Sequence, residues 1–117
     1  MVITPLFMVP IITGPVFMLA GFIMVKYPPK KINLWYGYRT ASSMQSQERW
    51  DFAQKFSGRA ILKSGGILII MACPGWLIKF NISETAGALI GVGIMLLFAI
   101  IPIIKTERAL KKTFGSV

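Results

Sequence analysis

Three stretches of this chain, about Val2 to Val25, Ala60 to Ile78 and Thr85 to Ile104, are apolar over the length that a helix needs to cross a bilayer. At ~1.5 Å per residue, twenty helical residues cover a hydrocarbon core of ~30 Å. Composition points the same way. The mean hydropathy is +0.66, and charged side chains make up 15% of the chain, against ~25% in an ordinary soluble domain. The expectation is one all-α integral membrane domain over residues 1–117, with three transmembrane helices.

Pro5, Pro10, Gly14 and Pro15 interrupt the first stretch, which predicts a bend or an irregular opening turn. A signal peptide is the competing reading for an N-terminal apolar segment. Here Lys26 follows the apolar core rather than preceding it, and the core is long, so the segment reads as a helix of the mature protein. Lys63 lies near the start of the second stretch, where its stem can stay in the apolar layer while its amine reaches the headgroups.

Charge sets the orientation. The connection between the first two stretches carries Lys26, Lys30, Lys31, Arg39, Arg49, Lys55, Arg59 and Lys63, and the basic tail, 105–117, adds Lys105, Arg108, Lys111 and Lys112. The second connection holds only Lys79. Twelve of the thirteen basic residues thus share one side, and the excess of Lys and Arg marks the cytoplasm. The predicted topology places the N-terminus outside, the long connection inside and the C-terminus inside. The net charge of +9 then faces anionic membrane lipids rather than nucleic acid. Cys73 has no second cysteine with which to pair.

The long connection, residues 26–59, opens with "KYPPKKIN", in which Pro28 and Pro29 end the first helix and the lysines hold the chain at the headgroups. "LWYGYRT" follows. Its aromatic rings suit a membrane interface, Gly37 permits a turn or a close approach, and the Arg39 guanidinium fork suits a carboxylate or phosphate. "SMQSQERWDFAQKFSG" reads as an amphipathic cytoplasmic helix capped by Ser43 and stopped or hinged at Gly58, with Asp51 and Lys55 spaced as an ion pair.

Little in the chain suggests catalysis. It has no histidine and four acids, Glu48, Asp51, Glu84 and Glu107, so zinc sites and thiol–histidine pairs are excluded and no cofactor is expected. Glu48 and Asp51 fit a solvated helix edge, and Ser42 and Ser43 fit turns or caps better than nucleophiles. In "ETAGALIGVG", Gly87 and Gly91 form a GxxxG spacing that suits packing within the chain or a homo-oligomer.

The central segment resembles the signature of the SdpI family (SdpI/YfhL type), bacterial multi-pass membrane proteins named for immunity to a secreted killing factor. That signature, approximately N-x-x-Y/F-G-Y/I-R-T, a serine-containing turn and W-x-x-A, is met by Asn33, Tyr36, Gly37, Tyr38, Arg39, Thr40, Ser43, Trp50 and Ala53. The namesake is larger, and this chain is similar to the shorter, single-unit members. The resemblance implies a multi-pass protein of the bacterial cell membrane that is not an enzyme. It implies protection against a membrane-active toxin peptide, and signalling to a cytoplasmic repressor. On this reading Arg39 holds Glu48 or a backbone terminus while Tyr36, Tyr38 and Trp50 frame the site. The alternative is a protein that binds or transports a small solute or anionic lipid, with Arg39 receiving a phosphate or carboxylate. A third reading gives the signature's polar groups one another as partners.

Overall fold

The computed structural model describes residues 5–76 and 83–115, and these form three helices, α1 (Pro5–Lys26), α2 (Gln47–Ala72) and α3 (Glu84–Phe114), with a 3-10 turn at Cys73–Trp76 after α2. The fold is all-α, as the apolar stretches imply. Phe7–Lys26 and Glu84–Phe114 are each long and apolar enough to cross a membrane. The end of the second expected span, Leu77 and Ile78, and the connection holding Lys79 lie outside the described residues.

Three boundaries differ from the sequence reading. The amphipathic segment and the second apolar stretch are one helix, because Gly58 does not stop α2 but lies buried within it against α1. A Cβ at Gly58 would sit 2.8 Å from Met24 Cβ, so the missing side chain serves a close approach rather than a turn. The α2 cap is Ser46, not Ser43: its extended backbone precedes the helix and its Oγ accepts from the Arg49 N–H at 3.1 Å. Finally, the basic tail is not a tail, since α3 continues through Lys105–Phe114, a run free of glycine and proline that ends at Gly115. α1, for its part, is helical straight through Pro10 and Pro15.

The helices pack by backbone approach. On α1, Gly14 and Gly21 are seven residues apart, and on α2 so are Gly58 and Gly65. The pairs face each other antiparallel: a Cβ on Gly65 would lie 2.6 Å from the Gly14 carbonyl oxygen, and one on Gly21 would lie 2.7 Å from that of Gly58. Thr13 and Ser64 are small polar residues buried along this seam, with Met24 and Leu68 as the large apolar exceptions, whereas Ile12, Val16, Leu19, Ile70, Leu89 and Leu97 are exposed. Large apolar groups outside and small groups inside are what helix packing in lipid demands. Gly87 and Gly91 of α3 are likewise turned inward.

The register has a consequence for length. At ~1.5 Å per residue α1, α2 and α3 measure about 33, 39 and 46 Å. Because Gly58 lies beside Met24 and Val25 near the end of α1, the first three turns of α2 project beyond it. The last turns of α3 run alongside that projection, since Arg49 Nη2 donates to the Gly115 carbonyl at 3.1 Å and its guanidinium lies 5.6 Å from the Phe114 ring. Residues 27–46 fill the place that a longer α1 would occupy.

Adjacent glycines of α2 give a test of the seam. Gly65→Ala must push backbone aside and is expected to destabilise by about 1–3 kcal/mol. Gly66 has open space around it. Gly66→Ala should therefore stabilise by about 0.5–1 kcal/mol through helix propensity alone. Thermal unfolding of both variants in detergent would read the opposite signs directly.

Candidate functional site

The connection is organised around three side chains supplied by the helices. Gln54 of α2 is fully buried, and its amide makes both bonds to one residue: Oε1 accepts from the Tyr38 N–H at 2.7 Å and Nε2 donates to the Tyr38 carbonyl at 2.8 Å. A side-chain amide here does what a neighbouring strand would do. Gly37 makes room for it. Its φ of 108° lies in the left-handed region, and a Cβ there would meet Gln54 Oε1 at 2.6 Å and Pro29 Cγ at 2.7 Å. Trp50, one turn earlier on α2 and also fully buried, donates Nε1–H to the Pro29 carbonyl at 2.8 Å, which fixes the start of the connection.

The third anchor is Glu107 of α3. Ser42 Oγ donates to its Oε1 at 2.7 Å, while Tyr38 Oη at 2.8 Å and Thr40 Oγ1 at 3.2 Å donate to its Oε2. Three hydroxyls from one loop therefore converge on one carboxylate. The Tyr38 ring packs with Met24, Ala53 and Leu110, one residue from each helix, so the phenol is held at the junction of the bundle. Burial, then the hydrogen bond to Glu107 and the nearby carboxylate charge, push the Tyr38 phenol well above its ordinary value of 10. Ser43 ties the turn from within, accepting from the Thr40 N–H at 2.9 Å and donating to the Tyr38 carbonyl at 3.0 Å. Arg49, buried, donates Nε–H to the Ser42 carbonyl at 2.8 Å.

The expected site residues thus divide into two groups. Gly37, Tyr38, Thr40, Ser43 and Trp50 form one interlocked unit. Asn33 shapes the loop tip, where its Oδ1 accepts from the Trp35 and Tyr36 N–H groups at 2.8 and 3.0 Å. Tyr36 is half exposed, and Glu48 is exposed in the first turn of α2. Arg39 does not hold Glu48: its Nη1–H donates to the Leu34 carbonyl, because the loop turns the guanidinium toward the tip. Nor do Tyr36, Tyr38 and Trp50 frame one site, since one faces out, one faces Glu107 and one caps Pro29. Asp51 receives the Gln47 amide at 2.8 Å.

Gln54, Ser42, Arg49 and Glu107 complete the unit, and their roles were not read from the sequence. A signal existed for two of them. Glu107 lies on the stripe Ile103, Glu107, Leu110, Phe114, and Gln54 follows Trp50 by four residues, so each polar side chain interrupts a face that otherwise packs.

Beside this latch a groove of ≈ 550 Å³ opens between α1 and α3. Val16, Ala20 and Met24 form one wall, Ala99 and Ile103 the other, and Gly37–Thr40 close its end, with exposed Arg39 among them. The arrangement can seat an apolar body and present a guanidinium to a carboxylate or phosphate at one end.

Two measurements test the latch. Glu107→Ala leaves three hydroxyls without their acceptor and is expected to lower stability by about 2–3 kcal/mol, with Glu107→Gln milder. The second is the alkaline limb of stability. Since the folded phenol of Tyr38 holds its proton more tightly than the unfolded one, its contribution is full below pH 10 and is lost as pH rises beyond it. Tyr38→Phe should flatten that limb relative to the wild type; identical slopes in chemical unfolding above pH 10 would contradict the assignment.

Comparison with known proteins gives this fold a family. Residues 30–106 match the model of the SdpI/YfhL protein family, a span that covers most of the connection, all of α2 and α3 as far as Thr106. The chain is also 30% identical over 101 residues to "Uncharacterized protein YfhL" of Bacillus subtilis (strain 168), covering 86% of this chain and 84% of that protein. No solved structure matches. The match takes in the loop signature and its α2 anchors, from Lys30 through Trp50 and Gln54, and stops one residue short of Glu107; with about two thirds of the chain matched, the chain belongs to the SdpI/YfhL protein family.

Proposed function

We propose that this protein is an immunity-type protein of the bacterial cell membrane that protects its cell against a secreted, membrane-active toxin peptide. Family membership supports the class, and one structural observation carries the reading further: the signature residues Gly37–Thr40 close the end of an apolar groove between α1 and α3. A peptide helix lying in the membrane would set apolar side chains against Val16, Ala20 and Ile103. Its terminal carboxylate would meet Arg39. Leu34 and Trp35 at the loop tip are 76% and 88% exposed, and they supply a surface for a cytoplasmic regulator on the same face.

The proposed topology has three spans. If α1 and α3 cross the bilayer, the part of α2 that faces Gly14 and Gly21 lies at the same depth, and Ile67, Ile70 and Met71 are exposed there to lipid. The basic ends of all three helices then share the cytoplasmic side.

A survival assay tests the function. Sensitive bacteria expressing the wild type should outlive controls when challenged with a membrane-active toxin of the killing-factor kind. Arg39→Ala, at matched membrane levels, should lose about 10-fold or more of that protection, a loss of the size expected for a charge-assisted bond. Unchanged survival would remove Arg39 from the reading, and no protection by the wild type would remove the reading itself. For topology, a reporter that fluoresces only in the cytoplasm should be bright at the C-terminus and dark at the N-terminus.

A further inference from the structure

A second groove, ≈ 580 Å³, lies between α2 and α3, and none of its lining residues belongs to the signature. Arg59 and Lys63, one turn apart on α2, and Lys105 of α3 all border it, and all three are exposed. No carboxylate lines the groove, and none of the three cations has a hydrogen-bond or ion-pair partner among the described residues. Toward the opposite end of the bundle the lining turns apolar, with Ile67 on α2 and Phe98 and Ile101 on α3.

The position of these cations follows from the helix register. Arg49 reaches Gly115, so, counting down antiparallel helices, Arg59 comes level with Lys105. That level is where the apolar run of α3 ends at Ile104 and where the apolar part of α2 begins at Ala60. It is therefore the level of the lipid phosphates if the apolar runs occupy the hydrocarbon core. Three unpaired cations at phosphate depth, above an apolar trough, match a molecule with an anionic head and a hydrocarbon chain.

We propose that the α2–α3 groove binds an anionic phospholipid, with the phosphate among Arg59, Lys63 and Lys105 and an acyl chain against Ile67, Phe98 and Ile101. The interaction differs from the general attraction of a basic protein to an anionic leaflet. It needs these three cations and not merely three of thirteen. It is also independent of the toxin reading, which places its occupant between α1 and α3.

The test is native mass spectrometry of the purified full chain in neutral detergent, titrated with phosphatidylglycerol or phosphatidylcholine. The wild type should retain one phosphatidylglycerol in preference to phosphatidylcholine. Arg59→Gln, Lys63→Gln and Lys105→Gln together should lower that retention about 10-fold or more, whereas Lys30→Gln, Lys111→Gln and Lys112→Gln, which remove the same charge elsewhere, should change it less than about twofold. Equal loss in both triple variants would mean diffuse attraction and overturn the site. So would equal retention of the two lipids by the wild type, or displacement by glycerol phosphate, which carries the charge without the chains. Lys105→Gln alone changes an exposed side chain; it should weaken retention several-fold with an unchanged melting temperature, and decides the matter should the triple variant fold poorly.

Discussion

The two hydrogen bonds between the Gln54 amide and the backbone of Tyr38 are the interaction on which the connection depends. The Tyr38 peptide groups are buried beneath α2, out of reach of water, and an unpaired buried N–H or carbonyl costs about 1–3 kcal/mol. Regular structure offers no partner here, because the connection is neither helix nor strand. α2 therefore supplies a peptide-like group from its own side chain, and Gly37 has to be glycine for that group to fit. Once Tyr38 is fixed by its backbone, its phenol is aimed at α3, and Thr40 and Ser42 follow the turn onto the same carboxylate.

The latch in turn depends on a length mismatch created elsewhere. The facing glycines of α1 and α2 set how far α1 reaches along α2, and that register leaves α1 short of the other two helices at the basic end. Without a third helix there, the projecting turns of α2 and α3 would expose Trp50, Ala53, Gln54 and Leu110, all of which are fully buried in the structure. The connection covers them. The seam within the apolar region and the polar loop outside it are thus two parts of one solution, and loss of the seam register would pull Tyr38 away from either Gln54 or Glu107.

Much of this was legible in the sequence, for identifiable reasons. Apolar length gave the helices, Pro28 and Pro29 gave the end of α1, and the spacing from Asn33 to Ala53 pointed to the family that the comparisons confirm. Of the polar groups that were read as satisfying one another, Thr40 and Ser43 do pair, whereas Asn33 and Arg39 turn to loop backbone and the decisive partners, Gln54 and Glu107, lie outside the signature. Glu107 is 69 residues from Tyr38, and a carboxylate among Arg108, Lys111 and Lys112 looks solvated when only neighbours in sequence are considered. The boundaries failed for a related reason. Gly58 has the composition of a stop signal, and only the presence of α1 across from it turns it into a packing position.

The pairing of Glu107 with hydroxyls rather than with a cation among the described residues also bears on the rest of the surface. Lys105 and Glu107 are two residues apart, so they point about 200° apart around α3, one toward the α2–α3 groove and one toward the latch. Had the latch been built on a salt bridge, a lysine or arginine would have been drawn into it, and the buried pair would have carried a desolvation cost of several kcal/mol. Three neutral donors hold the carboxylate without consuming a cation. Arg49, the one buried arginine, is spent on two backbone carbonyls and an aromatic ring, which leaves Arg59, Lys63 and Lys105 with no acid nearby. The same economy leaves Arg39 at the end of the other groove with a backbone carbonyl as its partner, a bond that an incoming carboxylate, carrying full charge, can outcompete.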